Sequence, residues 1–140
     1  MNHYADSSFL VSCYVTDANT PQAKGYLFRT GAPLVFTALH GLEVRNAFKL
    51  GVLRKLLAAA DAVAVRKNLE NDLRSGRLLK KPVNWPLVRR VAARYSELLS
   101  ATVGTRSLDI VHVATAKVLR RGVCFLSSLR HSQGCGQAVQ

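Results

Sequence analysis

Residues 33–50 read PLVFTALHGLEVRNAFKL, and a change of rhythm inside that stretch decides the fold class. Leu34, Val35 and Phe36 form a short apolar run of β-branched and aromatic residues behind Pro33. Such a run predicts a buried strand. From Thr37 the pattern turns helical, with Leu39, Leu42, Ala47 and Leu50 near one face and Gly51 as the expected stop. A buried strand thus feeds directly into an apolar-faced helix.

The same alternation extends in both directions. Toward the amino end, His3–Ala5 is a strand candidate ending at Asp6, and Ser7 or Ser8 is expected to cap a helix running to about Asp17. Thr20 as N-cap and Pro21 as the first helical residue predict a second helix, closed near Gly31. Toward the carboxyl end, residues 53–74 read as one long helix stopped by Ser75-Gly76. Leu78–Val83 is a short strand candidate with Pro82 at its end, and Pro86 opens a helix through about Ser100. Ser107 is expected to cap a helix through Arg120, and Val123–Leu126 is the last strand candidate. Short apolar strands alternating with helices predict an α/β protein with a mostly parallel sheet and helices on both faces. In such folds the ligand site lies outside the carboxyl ends of the strands.

The chain has 140 residues, 49% hydrophobic and 20% charged, so a single packed domain is expected and general disorder is excluded. No apolar run approaches the roughly 20 residues of a membrane span. The run Leu56–Val65 is too short and carries Asp61. The opening MNHYADSSFL has no basic stretch and an early Asp, which argues against a secretory signal. Cys13, Cys124 and Cys135 contain no C-x-x-C pair, and their odd number fits a reducing cytoplasm. Cys124, His131 and Cys135 match no standard zinc spacing.

Charge is more informative than composition. Lys and Arg number 20 against 8 Asp and Glu, a net charge of +12. Residues 45–94 alone hold thirteen Lys and Arg against three acids. Such a surface attracts polyanions, nucleic acid above all, through counterion release.

The few acids are therefore conspicuous. Asp6 closes the first strand, Glu43 lies in the helix after the second, and Asp109 lies in the first turn of the helix before the last. Each interrupts an apolar stretch: YADSSFLV, ALHGLEVRNAF and RSLDIVHVA. An isolated acid in such surroundings is costly unless paired or bound to a cation. Three of them point to a hard cation such as Mg²⁺ or Mn²⁺, held by carboxylates and serving phosphate chemistry. The plainer alternative makes each a helix-end ornament, with Asp109 favoured by the helix dipole and Glu43 solvated beside Arg45.

Three motifs carry a family resemblance. Asp6-Ser7-Ser8 follows a short strand, Glu43-Val44-Arg45-Asn46-Ala47 lies 37 residues on, and Gly104-Thr105-Arg106-Ser107-Leu108-Asp109-Ile110-Val111-His112-Val113-Ala114 places its acid 66 residues later. In sequence and order they resemble the PIN-domain ribonucleases, specifically the toxins of VapBC toxin–antitoxin modules. The resemblance implies a three-layer α/β/α sandwich over residues 1–127, followed by a divergent or poorly ordered tail at 128–140. It further implies Mg²⁺- or Mn²⁺-dependent cleavage of RNA phosphodiesters, with Asp6, Glu43 and Asp109 as catalytic and metal-holding carboxylates. RNA, a cognate antitoxin and a second copy of the chain are the implied partners, in the cytoplasm and away from membranes. Ser7, Thr105, Arg106 and Ser127 are weaker candidates at the edge of the site. His112, three residues after Asp109, is either a proton carrier or outer-shell partner, or a packed helix residue whose imidazole bonds a neighbour. The second role is preferred, since metal hydrolysis needs no histidine base.

The resemblance breaks after the last strand. Phe125-Leu126-Ser127 fits, yet Leu129 stands where the family has a fourth acid, and no acid follows Asp109. The family's closing helix and strand are expected to be truncated. The alternative function is a catalytically weakened PIN-like protein that binds RNA or a partner.

Overall fold

The computed structural model describes residues 2–104, 106–119 and 125–126. Its elements in chain order are β1 (Tyr4–Ala5), α1 (Ser7–Tyr14), α2 (Thr20–Thr30), β2 (Leu34–Phe36) and α3 (Ala38–Leu53). They continue with α4 (Ala59–Ser75), β3 (Leu78–Lys80), α5 (Trp85–Val103), α6 (Ser107–Val118) and β4 (Phe125–Leu126). Two helices separate each strand from the next, as parallel strands require of their crossovers.

Strands β1 and β4 pair in parallel, Tyr4 opposite Phe125, and β2 pairs in parallel with β3, Leu34 opposite Leu78. A single parallel bridge between His3 and Leu34 joins the two pairs. There the Val35 N–H donates to the His3 carbonyl at 2.7 Å. The protein is thus a mixed α/β fold, mostly helical, around very short parallel strands. The short strands are apolar throughout β1 and β2 because both faces are covered. Ala5, Leu10, Leu34, Val44, Leu69 and Leu78 form the buried core, joined by Phe9, Phe36 and Phe48. The larger of these side chains contribute roughly 1.5–3 kcal/mol each. Helix α5 packs chiefly on α6, while α1 packs against α2, α3 and α4.

Several sequence-based boundaries shift. Helix α1 ends at Tyr14 because Asp17 organises the turn to α2, accepting from the Asn19 N–H and the Ser12 hydroxyl. Gly51 does not stop α3. It lies inside the helix, its carbonyl accepting from the Leu56 and Leu57 N–H groups. A Cβ on Gly51 would stand 3.3 Å from the Leu57 Cβ, so glycine permits this close return of the chain. The long helix expected from residue 53 therefore begins at Ala59, after a turn in which Lys55 takes a positive φ of 57°. Strand β3 ends at Lys80, since the Lys81 N–H already bonds Phe36 and Pro82 follows. Among the described residues, no helix is long and apolar enough to cross a membrane.

Candidate functional site

The carboxyl end of β1 is where three helices meet. Asp6 leaves the strand as the N-cap of α1, its Oδ1 accepting from the Phe9 N–H at 2.9 Å and from the Ser8 hydroxyl at 3.1 Å. The cap is thus Asp6, and Ser7 is the first helical residue. That placement turns the Ser7 hydroxyl away from capping and toward α3, where it donates to Glu43 Oε2 at 2.6 Å.

Helix α3 is fixed to β1 one turn earlier. Its N-cap Thr37 and His40 form a reciprocal capping box, with the Thr37 N–H donating to His40 Nδ1 at 3.0 Å. With Nδ1 an acceptor, Nε2 carries the proton and donates to the Ala5 carbonyl at 2.7 Å. Burial lowers the His40 pKa to about 4, despite the opposing bond to Ala5 and the pull of Glu43 and Asp6. His40 is therefore a neutral tie between α3 and the strand end. Three residues on, Glu43 projects from the same side of the helix toward Ser7.

Helix α6 completes the cluster. His112 is 2% exposed, and its Nε2 donates to Glu43 Oε2 at 2.7 Å. Its Nδ1 lies 2.7 Å from the hydroxyl of Tyr4, itself fully buried in β1. The His40 and His112 rings lie 5.3 Å apart between centroids, with Tyr4 tilted against both. Burial pushes the Tyr4 phenol well above its usual pKa; a bond from Thr115 opposes this, and the charges of Glu43 and Asp6 add to it. Burial alone would raise the Glu43 carboxyl, but bonds from His112 and Ser7 outweigh it and hold the group below the ordinary glutamate value. Glu43 is thus an ionised, oriented carboxylate.

The sequence-predicted residues fare differently. Asp6, Ser7, Glu43 and His112 come together from three helices, and the His112 imidazole bonds Glu43 and Tyr4. The reading of Glu43 as a merely solvated residue beside Arg45 does not hold. Asp109 is half-buried in the first turn of α6, one turn before His112. Among the described residues, no hydrogen bond joins it to Glu43. Arg106 is the exposed N-cap of α6 and makes no side-chain capping bond. Thr105, Ser127, Leu129 and the tail at 128–140 lie outside the described residues, as do Cys124, His131 and Cys135. Tyr4 and His40 are the additions. The signal for His40 is its position three residues after the capping Thr37, and for Tyr4 its place in an apolar strand before Asp6.

The donors suit a hard cation in kind. Mg²⁺ ordinarily takes one or two protein carboxylates and completes its shell with water and phosphate oxygens. Asp6 and Glu43 offer two, both close enough to act on Tyr4 and His40. Among the described residues, no group of three or more His, Cys, Asp or Glu side chains gathers as a metal cage. No family model matches the chain, and no curated protein matches it.

Proposed function

We propose that this chain is a Mg²⁺- or Mn²⁺-dependent endoribonuclease of the PIN-like kind. In this reading its helices cover a short parallel sheet as a three-layer α/β/α sandwich. The single observation supporting it is the Ser7–Glu43–His112 cluster at the end of β1, beside Asp6. Carboxylates 37 residues apart in sequence come to one strand end, where α/β folds place their ligands.

A divalent cation there would acidify water and offset charge on the attacked phosphate. Asp6 and Glu43 would hold it, with Asp109 approaching from α6. Ser7 and His112 fix the Glu43 carboxylate by bonding one of its oxygens. Tyr4 fixes the imidazole in turn, so the carboxylate's direction is set before any ligand arrives, as preorganised catalysis requires. The basic surface draws RNA toward the site. The chain would act as the toxin of a toxin–antitoxin pair in the cytoplasm, with an antitoxin and a second copy as partners.

The test is RNA cleavage across a Mg²⁺ and Mn²⁺ titration, wild type against Asp6→Asn, with metal affinity read by calorimetry. Asn caps helices as well as Asp, so the fold is kept while a charge is lost. Metal-stimulated cleavage should vanish in the variant. Cleavage without metal that survives Asp6→Asn would overturn the reading. RNA binding without cleavage by the wild type would favour the weakened binding protein.

A further inference from the structure

A second concavity lies beside the carboxylate cluster, on the adjacent face of α3. It is a groove of about 740 Å³ across the carboxyl ends of β2 and β3. Leu42, Arg45 and Lys49 line it from α3, and Lys80 and Lys81 from the end of β3. These α3 positions recur at helical spacing on one face, and Glu43, one residue beyond Leu42, turns from that face to Ser7.

Its chemistry is one-sided. Arg45, Lys49, Lys80 and Lys81 are all exposed, and among the described residues no acid lines the groove and none is ion-paired with these four. The cations are also placed on firm backbone. The Lys81 N–H donates to the Phe36 carbonyl at 3.0 Å, tying the chain after β3 to the end of β2. Phe36 lines it as a buried residue, and Leu42, 70% exposed, adds apolar surface to its wall. A groove lined by cations and free of acids is the feature that tracks the backbone of single-stranded nucleic acid.

We infer that this groove binds the backbone of single-stranded RNA and leads the strand to the carboxylates on the neighbouring face of α3. The identity of the polymer rests on the proposed ribonuclease function; the presence of a polyanion site rests on the groove alone.

The experiment measures binding of a short fluorescent single-stranded RNA by anisotropy in EDTA, over a range of salt. The groove variant R45Q/K49Q/K80Q/K81Q is compared with R54Q/K67Q/R90Q/R94Q, which removes the same charge from exposed positions elsewhere. The groove variant should bind at least tenfold more weakly at low salt. Its log-affinity slope should flatten by about 0.7 for each phosphate that is no longer neutralised. The control should stay within about threefold of wild type. Equal weakening in the two variants would overturn the site, leaving only diffuse attraction. Undiminished displacement of the strand by duplex RNA would overturn the single-strand assignment. Because EDTA removes cleavage from the measurement, a wild type that binds through the groove yet never cleaves RNA would sink the ribonuclease reading and sustain the groove.

Discussion

Two tyrosine hydroxyls in this molecule end in acids, and the two networks differ in what neutralises the acid. Tyr14 donates to Asp72 Oδ2 at 2.7 Å, and Arg77 pairs with the other oxygen at 3.1 Å. Tyr4 reaches Glu43 only through His112, and the remaining partner of Glu43 is the Ser7 hydroxyl. The first network is closed, a carboxylate matched to a permanently charged guanidinium at a half-open surface. The second surrounds its carboxylate with an imidazole and a hydroxyl, neither of which carries a fixed charge. The second leaves a partly exposed carboxylate oriented by an imidazole and a hydroxyl, with no guanidinium or ammonium bonded to it among the described residues.

The largest test of that contrast is catalytic. Glu43→Gln should reduce metal-stimulated RNA cleavage by about 10²-fold or more, the usual scale for losing one preorganised charge at a reacting centre. Asp72→Asn should leave the rate near wild type. Equal losses from the two substitutions would erase the distinction.

Stability comes next. His40→Leu leaves the Ala5 carbonyl and the Thr37 N–H without their buried partner, at about 1–3 kcal/mol each. Urea unfolding should show a loss of that order. A loss below roughly 0.5 kcal/mol, the ordinary surface range, would mean α3 is not tied to β1 through His40.

The pH dependence follows from the same residue. The folded pKa of His40 is about 4, against 6.5 for the free side chain. Between those values the unfolded chain takes up a proton that the folded protein refuses, so stability falls as pH falls. The slope contributed approaches about 1.4 kcal/mol per pH unit within this window. His40→Leu should remove that component. From about pH 4.5 downward Glu43 acts in the same direction, because its depressed carboxyl loses stabilisation on protonation.

The smallest effect belongs to the closed network. The Arg77 side chain is 77% exposed, so Arg77→Gln should cost no more than about 1 kcal/mol in the same unfolding measurement. A larger loss would show that the surface pair does more than decorate the turn into β3.

The order of strands and helices is legible in the sequence because burial on both faces leaves short apolar runs that stand out against helical stretches. Leu34–Phe36 reads with its observed boundaries, and Thr20-Pro21 locates α2 to within one residue, its cap being Asn19 and not the expected Thr20. Boundaries fail where a local bond outside the helix decides them. Asp6 takes the cap expected of Ser7 or Ser8 by accepting from the Phe9 N–H; the cap position of α6 falls on Arg106, one residue before the expected Ser107, without a side-chain bond. Leu56 and Leu57 fold back on Gly51, dividing a stretch whose composition is helical throughout. For the candidate site, isolated acids in apolar segments point to Asp6 and Glu43. His40 and Tyr4 are not acids and escape that signal; their only traces are a place three residues after the capping Thr37 and a place in an apolar strand before Asp6.

The contact between Glu43 and His112 spans 69 residues, and that between Tyr4 and His112 spans 108. Ribosomes make a chain from its amino end at roughly 5–20 residues per second, so about 3–14 s pass between the synthesis of Glu43 and that of His112. During that interval the growing protein has both strand-end carboxylates but not the imidazole that orients one of them. On the proposed chemistry, the nascent chain is immature while it remains beside ribosomal RNA. On that reading, competence would arrive only after α6 has emerged.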